Sequence, residues 1–185
     1  MCMFRDLRAD EIEVRIAQTN EWGVNLLLYK DARCDQTILD ETVGEFGWMR
    51  SHTRDNANCI VSLWDKEKQQ WINKEDTGTE SNTEKEKGLA SDSFKRACFN
   101  WGIGRELYTA PNIKIEPADL TSLKEYNGKW RCFDSFEVQK IVIEKKKIVA
   151  LAIRNKKSKK TCYIWQDPKW EEEQKQKKEK ESQGV

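Results

Sequence analysis

The sequence predicts an α+β protein in which an antiparallel meander of three strands precedes a long amphipathic helix packed on that sheet. Three short segments rich in apolar residues, with polar turns between them, favour the meander. They lie at 48–53, 59–65 and 71–76. A helical apolar period follows within 83–108. Farther along, apolar segments at 138–143 and 148–153 flank a charged turn and predict an additional C-terminal β-hairpin.

Three elements are expected before the meander. Leu7, Ile12 and Ile16 give partial helical spacing and predict a helix over 7–19. Residues 23–30 predict a strand that is apolar on both faces and therefore packed on both sides. Residues 33–43 predict a second helix, which glycines at 44 and 47 then interrupt.

The long helix has a predicted start and end. Thr83 and Glu86 fit a capping box, and Gly102 and Gly104 are typical of a helix C-terminus. At about 100° per residue, one face carries most of the apolar side chains and should meet the core. Its residues are Ala90, Phe94, Ala97, Cys98 and Trp101.

The opposite face of this helix combines basic and aromatic residues. Its members are Lys85, Asp92, Lys95, Arg96 and Phe99. Basic groups beside an aromatic ring suit a nucleic-acid backbone with a base stacked next to it. The alternative is that Phe99 packs on another segment or subunit, while Lys95 and Arg96 are merely solvated.

The region after Tyr108 is predicted to be loop followed by β structure. Pro111 and Pro117 indicate a loop, and residues 161–165 predict a third strand beside the C-terminal hairpin. Between Lys140 and Lys169 there are ten Lys or Arg residues and two acidic ones. Such a surface either contacts phosphates or only keeps an edge soluble.

Length and charge limit the domain organisation and the partners. With 185 residues, we expect one domain over 1–166, with a core at 7–108 and a basic β-rich extension at 109–166. The charged segment 167–185 is expected to be a frayed helix or a disordered tail. The net charge of +1 gives no global basic field, so any nucleic-acid surface must be local.

Cysteine usage and the N-terminus predict a soluble protein of the cytoplasm. The six cysteines form no C-x-x-C pair, and His52 is the single histidine. We therefore expect free thiols and no zinc site. The N-terminus is too charged for a signal peptide, and no apolar run approaches a membrane span.

Several blocks of the sequence resemble the Rad-fifty-two type of single-strand annealing proteins, including the phage annealers called Sak proteins. The run SDSFKRACFNWGIGRELY is similar to the signature helix of that family. ILDETVGEFGW and EDTGTESNTEKEKG resemble its upstream elements, in the same order. The resemblance covers roughly residues 7–108. It implies the β-β-β-α order, a ring of many subunits and a role in homologous recombination and DNA repair in a bacterial or phage-infected cell.

The resemblance also implies a DNA-binding site. Lys95 and Arg96 match the family's K-R pair, which contacts the DNA backbone, and Arg33 matches a basic residue before the second helix. Phe99 stands where some relatives carry another basic residue, which would weaken phosphate contact or replace it by base stacking. Lys85 and Lys87 would extend this row of DNA-contacting basic residues along the helix. Alternatively, both are ordinary solvent-exposed lysines of a helix.

No catalytic motif accompanies these residues. Nucleophile-elbow, phosphate-loop and dinucleotide-loop patterns do not occur, so we expect a non-enzymatic protein without a cofactor. One alternative is a Mg²⁺-dependent nuclease that uses Asp76 and Glu80, which flank a glycine turn. Two others are a protector of DNA ends that does not anneal strands and a module that binds a partner protein through its basic hairpin.

Overall fold

The protein is described here by a computed structural model. It describes the backbone of residues 4–79 and 85–183 and the side chains of 4–79 and 88–179. The predicted capping box at Thr83 therefore lies outside the described residues.

Helices and strands alternate irregularly along the chain. The α-helices are α1 (Ala32–Val43), α2 (Lys85–Asn100) and α3 (Pro168–Gln183). The strands are β1 (Glu13–Asn20), β2 (Gly23–Tyr29), β3 (Trp48–Thr53), β4 (Asn58–Asp65), β5 (Gln70–Thr77), β6 (Ile113–Ile115), β7 (Lys124–Tyr126), β8 (Lys129–Arg131), β9 (Phe136–Glu144), β10 (Lys147–Asn155) and β11 (Thr161–Gln166). Every strand pairing is antiparallel, so the α+β class is confirmed at this level.

The chain divides into two compact units. Unit 1 comprises residues 1–7 and 30–105, and unit 2 comprises residues 8–29 and 106–185. The sequence predicts one domain over 1–166, and the unit boundaries at 7/8, 29/30 and 105/106 were not anticipated.

Unit 1 holds α1, α2 and a three-stranded sheet in the order β3-β4-β5. Cys59 and Val61 of β4 alternate along one face of the strand and are fully buried. Helix α2 lies against β4 and β5, and its Phe94, Ala97 and Cys98 are fully buried. The apolar face that the periodicity of α2 predicted is thus the face that meets the core.

Unit 2 is built on a six-stranded sheet in the order β11-β10-β9-β1-β2-β6. The predicted C-terminal hairpin is confirmed as β9 and β10, which pair in register from Lys147 opposite Glu144 to Asn155 opposite Phe136. The predicted third strand is β11, beside β10. Strands β7 and β8 form a separate two-stranded hairpin.

The helix predicted over 7–19 is wrong. Residues Ala9–Glu11 form one 3-10 turn, and strand β1 begins at Glu13. Ile12, Val14 and Ile16 alternate with charged residues, and this period of two is the pattern of a half-buried strand. Pairing of β1 with β2 and β9 satisfies the backbone in that conformation.

The strand predicted at 23–30 is confirmed as β2, but its predicted burial on both faces is wrong. Val24, Leu26 and Leu28 are buried, whereas Leu27 on the other face is exposed. Residues 168–183 of the charged segment form α3, whose first turn is capped by Asp167 accepting from the Lys169 and Trp170 amides.

Candidate nucleic-acid interface

The position of α2 is fixed by close backbone packing at the end of β5. A Cβ on Gly78 would lie 2.6 Å from the Ser93 nitrogen and 2.8 Å from the Leu89 carbonyl oxygen. No larger residue fits there without moving the helix. The Ser93 hydroxyl donates to the Asn56 carbonyl at 3.0 Å, which ties the same turn of α2 to the β3–β4 turn.

Two cations satisfy the C-terminal carbonyls of α2. Lys74 Nζ donates to the Asn100 carbonyl at 2.8 Å, and the Arg105 guanidinium donates to the Phe99 and Asn100 carbonyls at 2.8 and 2.9 Å. Positive groups at this end also complement the helix dipole. The end of α2 is therefore held in place next to the candidate basic residues.

Arg33 and Lys95 act on the same carboxylate. Asp31 caps α1 by accepting from the Arg33 amide at 2.9 Å, and the Arg33 guanidinium donates to its other oxygen at 2.6 and 3.0 Å. These hydrogen bonds, with the charges of Arg33 and Lys95, hold the pKa of Asp31 below its ordinary value. The Arg33 side chain is 86% exposed.

Arg96 turns to the other flank of α2. Its Nε lies 3.4 Å from Asp76 Oδ1 at the end of β5. Asn100 donates to the second oxygen of Asp76 at 3.1 Å. The side chains of the consecutive residues Lys95 and Arg96 thus diverge around the helix, because successive helical residues are about 100° apart.

Phe99 is half-buried rather than fully exposed between Lys95 and Arg96. The Arg105 guanidinium carbon lies 5.5 Å from the centre of the Phe99 ring, within the range of a cation–π contact. Lys85 and Lys87 lie in the first turn of α2, but their side chains are outside the described residues.

A buried ion pair lies in the same unit. Lys30 donates to both carboxylate oxygens of Asp35, and both residues are almost fully enclosed. Burial raises the pKa of Asp35, against the opposing charge of Lys30. Gly104 has φ +73°, and a Cβ there would lie 2.3 Å from Lys30 Cε. The glycine after α2 therefore leaves room for the Lys30 side chain.

Three cations that cover aromatic rings of this unit were not predicted from the sequence. Arg50 lies 4.8 Å from the Phe94 ring centre, Lys74 lies 4.4 Å from the Trp101 ring centre, and Arg105 covers Phe99. The position of Arg105 could have been predicted from the sequence, because a basic residue near the end of a helix often donates hydrogen bonds to the last backbone carbonyls. Arg50 and Lys74 had none, since their rings come from distant parts of the chain.

Of the two carboxylates considered for a metal, the structure describes Asp76 and not Glu80. Asp76 is occupied by Arg96 and Asn100, and Glu80 lies outside the described residues. Across the described ranges, no group of three or more His, Cys, Asp or Glu side chains could hold a metal ion.

The basic segment of unit 2 is partly neutralised. Lys147 Nζ lies 2.5 Å from Asp167, and Lys146 Nζ lies 3.9 Å from the buried Glu106. The turn between β9 and β10 is also tied to α3, because Trp170 Nε1 donates to Glu144 at 2.7 Å. Lys146 and Lys147 therefore have structural partners.

Comparison of the chain with protein-family models, with curated proteins and with solved structures gives no match. The family resemblance of the sequence therefore stays an expectation. Among the described helices, none combines the length and the apolar character that a bilayer span requires.

Proposed function

We propose that this protein binds single-stranded DNA and promotes ATP-independent annealing of complementary strands, as a homo-oligomer working in homologous recombination and DNA repair. The observation that carries the proposal is that Arg33 and Lys95 stand on two helices of one unit that contact each other, with the exposed Arg33 guanidinium oriented by Asp31. The two residues come from different helices, and the resemblance selected each of them independently. Arg96 adds a third cation on the other flank of α2.

The order of elements in unit 1 also supports the proposal. The sheet β3-β4-β5 comes immediately before α2 in the chain, and α2 lies on its strands. This is the order that the resemblance to the annealing family implies. Together, Arg33, Lys95 and Arg96 form what we call the helix cluster.

The helix cluster would act by holding phosphates. Arginine and lysine bind the backbone without reading sequence, and this binding weakens as salt rises. In the unbound protein, Asp31 and Asp76 orient Arg33 and Arg96. A phosphate then shares or replaces these carboxylate contacts, with little loss of side-chain freedom on binding.

Annealing follows from binding without a chemical step. A strand held by its phosphates leaves its bases free to pair, and the cations lower the repulsion between two polyanions. Pairing of complementary strands lowers the free energy by itself, so the step needs neither nucleotide hydrolysis nor a metal. The protein is accordingly proposed to be no enzyme and to need no cofactor.

The test compares Lys95→Ala/Arg96→Ala with a charge-matched control, Lys66→Ala/Lys68→Ala, in the β4–β5 turn of the same unit. We expect the first variant to lose most binding to a fluorescent oligo-dT in 50 mM salt and the control to bind as the wild type does. Thermal melting of both variants checks that the fold is kept. Equal binding by the two variants would contradict the site.

The functional class is tested separately. Wild-type protein should accelerate pairing of two complementary dye-labelled oligonucleotides in EDTA and without nucleotide. Binding without acceleration would favour protection of DNA ends, and cleavage that appears only with Mg²⁺ would favour the nuclease.

A further inference from the structure

The hairpin β7–β8 of unit 2 is short, tightly turned and strongly basic. Asn127 and Gly128 connect the strands with φ of +50° and +75°, the left-handed pair that a two-residue hairpin turn needs. The register places Lys124 opposite Arg131 and Tyr126 opposite Lys129. This hairpin lies beyond the region that resembles the annealing family.

The two faces of the hairpin differ in composition. Directly opposed residues of an antiparallel pair project to the same side, so one face carries three cations and two aromatic rings. We call it the hairpin face, and it comprises Lys124, Tyr126, Lys129, Arg131 and Phe133. Its side chains are all exposed, with Phe133 at 65% and Tyr126 at 45%. The other face carries Glu125 and the half-buried Trp130.

The rings of the hairpin face are not stacked on each other. Tyr126 and Phe133 meet edge to face, with centroids 6.2 Å apart and planes inclined by 77°. An edge-to-face pair leaves ring surface uncovered, and that surface can accept a planar group. A nucleobase is a planar group that suits both rings. Its π-face stacks on aromatic side chains, and every one of the bases can do so.

The base of the hairpin is fixed by a buried carboxylate. Asp134 accepts hydrogen bonds from the Thr121 amide at 2.6 Å, the Ser122 hydroxyl at 2.7 Å and the Asn155 side chain at 2.9 Å. The Phe133 amide donates to the Ser122 hydroxyl at 2.8 Å. The backbone that carries the Phe133 ring is therefore held in position before any ligand arrives.

The cations of the hairpin face have no carboxylate partner among the described residues. Salt bridges within 4.0 Å in unit 2 involve other cations, such as Lys114, Lys146, Lys147 and Arg154. Lys124, Lys129 and Arg131 take part in none of them, and the face itself carries no acidic residue. Its charge is thus complementary to a polyanion.

We propose that the hairpin face is a second binding surface for single-stranded DNA, with bases stacked on Tyr126 and Phe133 and phosphates held by Lys129 and Arg131. Alternating aromatic and cationic groups match alternating bases and phosphates, and only an unpaired strand exposes base faces. The proposal goes beyond the helix cluster. It uses no residue of unit 1 and stands if that cluster proves inert.

The decisive experiment measures binding of oligo-dT and of an abasic strand of equal length by fluorescence anisotropy. Tyr126→Ala/Phe133→Ala should weaken binding to dT about tenfold or more and leave binding to the abasic strand nearly unchanged. Trp22→Ala is the matched control, since Trp22 is also 65% exposed in unit 2. Unchanged affinity of the double variant for dT would overturn the proposal. An acidic protein would then be the favoured partner of the hairpin face.

A second pair of variants tests the charges. Lys129→Ala/Arg131→Ala should weaken binding to both the dT and the abasic strand. The slope of log binding constant against log salt concentration should fall in magnitude by about 1.4, from roughly 0.7 per lost phosphate contact. Lys177→Ala/Lys178→Ala in α3 is the charge-matched control. An unchanged slope contradicts the phosphate contacts.

The two proposals fail in distinguishable ways. If Lys95→Ala/Arg96→Ala binds normally but the hairpin variants do not, the helix cluster is wrong and the hairpin face stands. The reverse result removes the hairpin face alone. Tyr126→Leu/Phe133→Leu, which keeps apolar volume without rings, must show the same loss for dT as the alanine variant, and full recovery by leucine would contradict stacking.

Discussion

The helix cluster and the hairpin face are both cationic, but they differ in what surrounds the charges. Arg33 and Arg96 each contact a carboxylate, and the pKa of Asp31 is lowered chiefly by its hydrogen bonds from Arg33, with a smaller contribution from the charge of Lys95. The cations of the hairpin face contact no described carboxylate. A carboxylate partner orients a cation but reduces the positive electrostatic potential around it. Cations without such a partner keep their full positive potential.

The two surfaces also differ in how each is supported. In the unit of the helix cluster, Lys30 and Asp35 form a buried ion pair. The hairpin face is anchored by Asp134, which is buried but accepts bonds only from neutral donors of the chain. Removing one partner of a buried ion pair leaves an uncompensated charge. We therefore expect substitution within the Lys30–Asp35 pair to destabilise the fold more than substitution of Asp134.

The largest effect is expected from Asp35→Ala, which leaves the Lys30 ammonium buried without its carboxylate. Unit 1 should lose about 3–5 kcal/mol of stability, measured by urea unfolding. The double variant Lys30→Met/Asp35→Leu removes both charges and should recover most of this loss. A single variant as stable as the wild type would show that the pair is not a support.

A smaller effect is expected from Asp134→Asn, which weakens the anchor of the hairpin. The variant should lose about 1–3 kcal/mol, because the Thr121, Ser122 and Asn155 donors lose an ionised acceptor. Binding to dT should weaken with it, since Phe133 is no longer held. Lys66→Ala in the same assay is the control, because Lys66 is exposed and lies in unit 1 outside the helix cluster.

The same residue predicts a pH dependence. Burial opposes ionisation of Asp134, but hydrogen bonds from Thr121, Ser122 and Asn155 hold its pKa below the ordinary value. A lowered pKa in the folded state gives stability that is present above about pH 4 and lost as pH falls through the folded value. The melting temperatures of wild type and Asp134→Asn should therefore converge towards pH 2. A gap that stays constant would contradict this role.

The smallest effect is expected from removing the acidic partners of the helix cluster. Asp31→Asn keeps the α1 cap, because asparagine caps as well as aspartate does, and Asp76→Asn keeps the shape at β5. Each should tighten binding of single-stranded DNA by about two- to fivefold, the range set by an exposed ion pair. Asp65→Asn serves as a control for the change in net charge. Weaker binding by Asp31→Asn would contradict this prediction and show that orientation of Arg33 by the carboxylate outweighs the charge that the carboxylate neutralises.

Sequence patterns predicted those parts of the fold that depend on local periodicity. The buried face of α2 followed from residues three and four apart, and the hairpin β9–β10 from two apolar runs. The segment 12–16 failed because Ile12 and Ile16 fit helical spacing while Val14 completes a strand pattern. Long-range pairing with β9 decides between them.

The candidate sites show the same limit. Arg33 and Lys95 were selected by resemblance, but their placement within one unit depends on how α1 packs on α2. The hairpin β7–β8 was missed, although Asn127-Gly128 is a strong turn signal, because its strands are short and carry polar residues instead of an apolar alternation. The covering of Phe99 by Arg105 depends on the chain reversal after α2, which a helical wheel does not show.

The most direct test of the account is the rate at which complementary oligonucleotides anneal in EDTA without nucleotide. The wild type is expected to accelerate annealing, Lys95→Ala/Arg96→Ala to lose most of that acceleration, and Lys66→Ala/Lys68→Ala to retain it. An acceleration that is the same in all three proteins would contradict the helix cluster. A wild type that binds single strands but never accelerates their pairing would contradict annealing as the function.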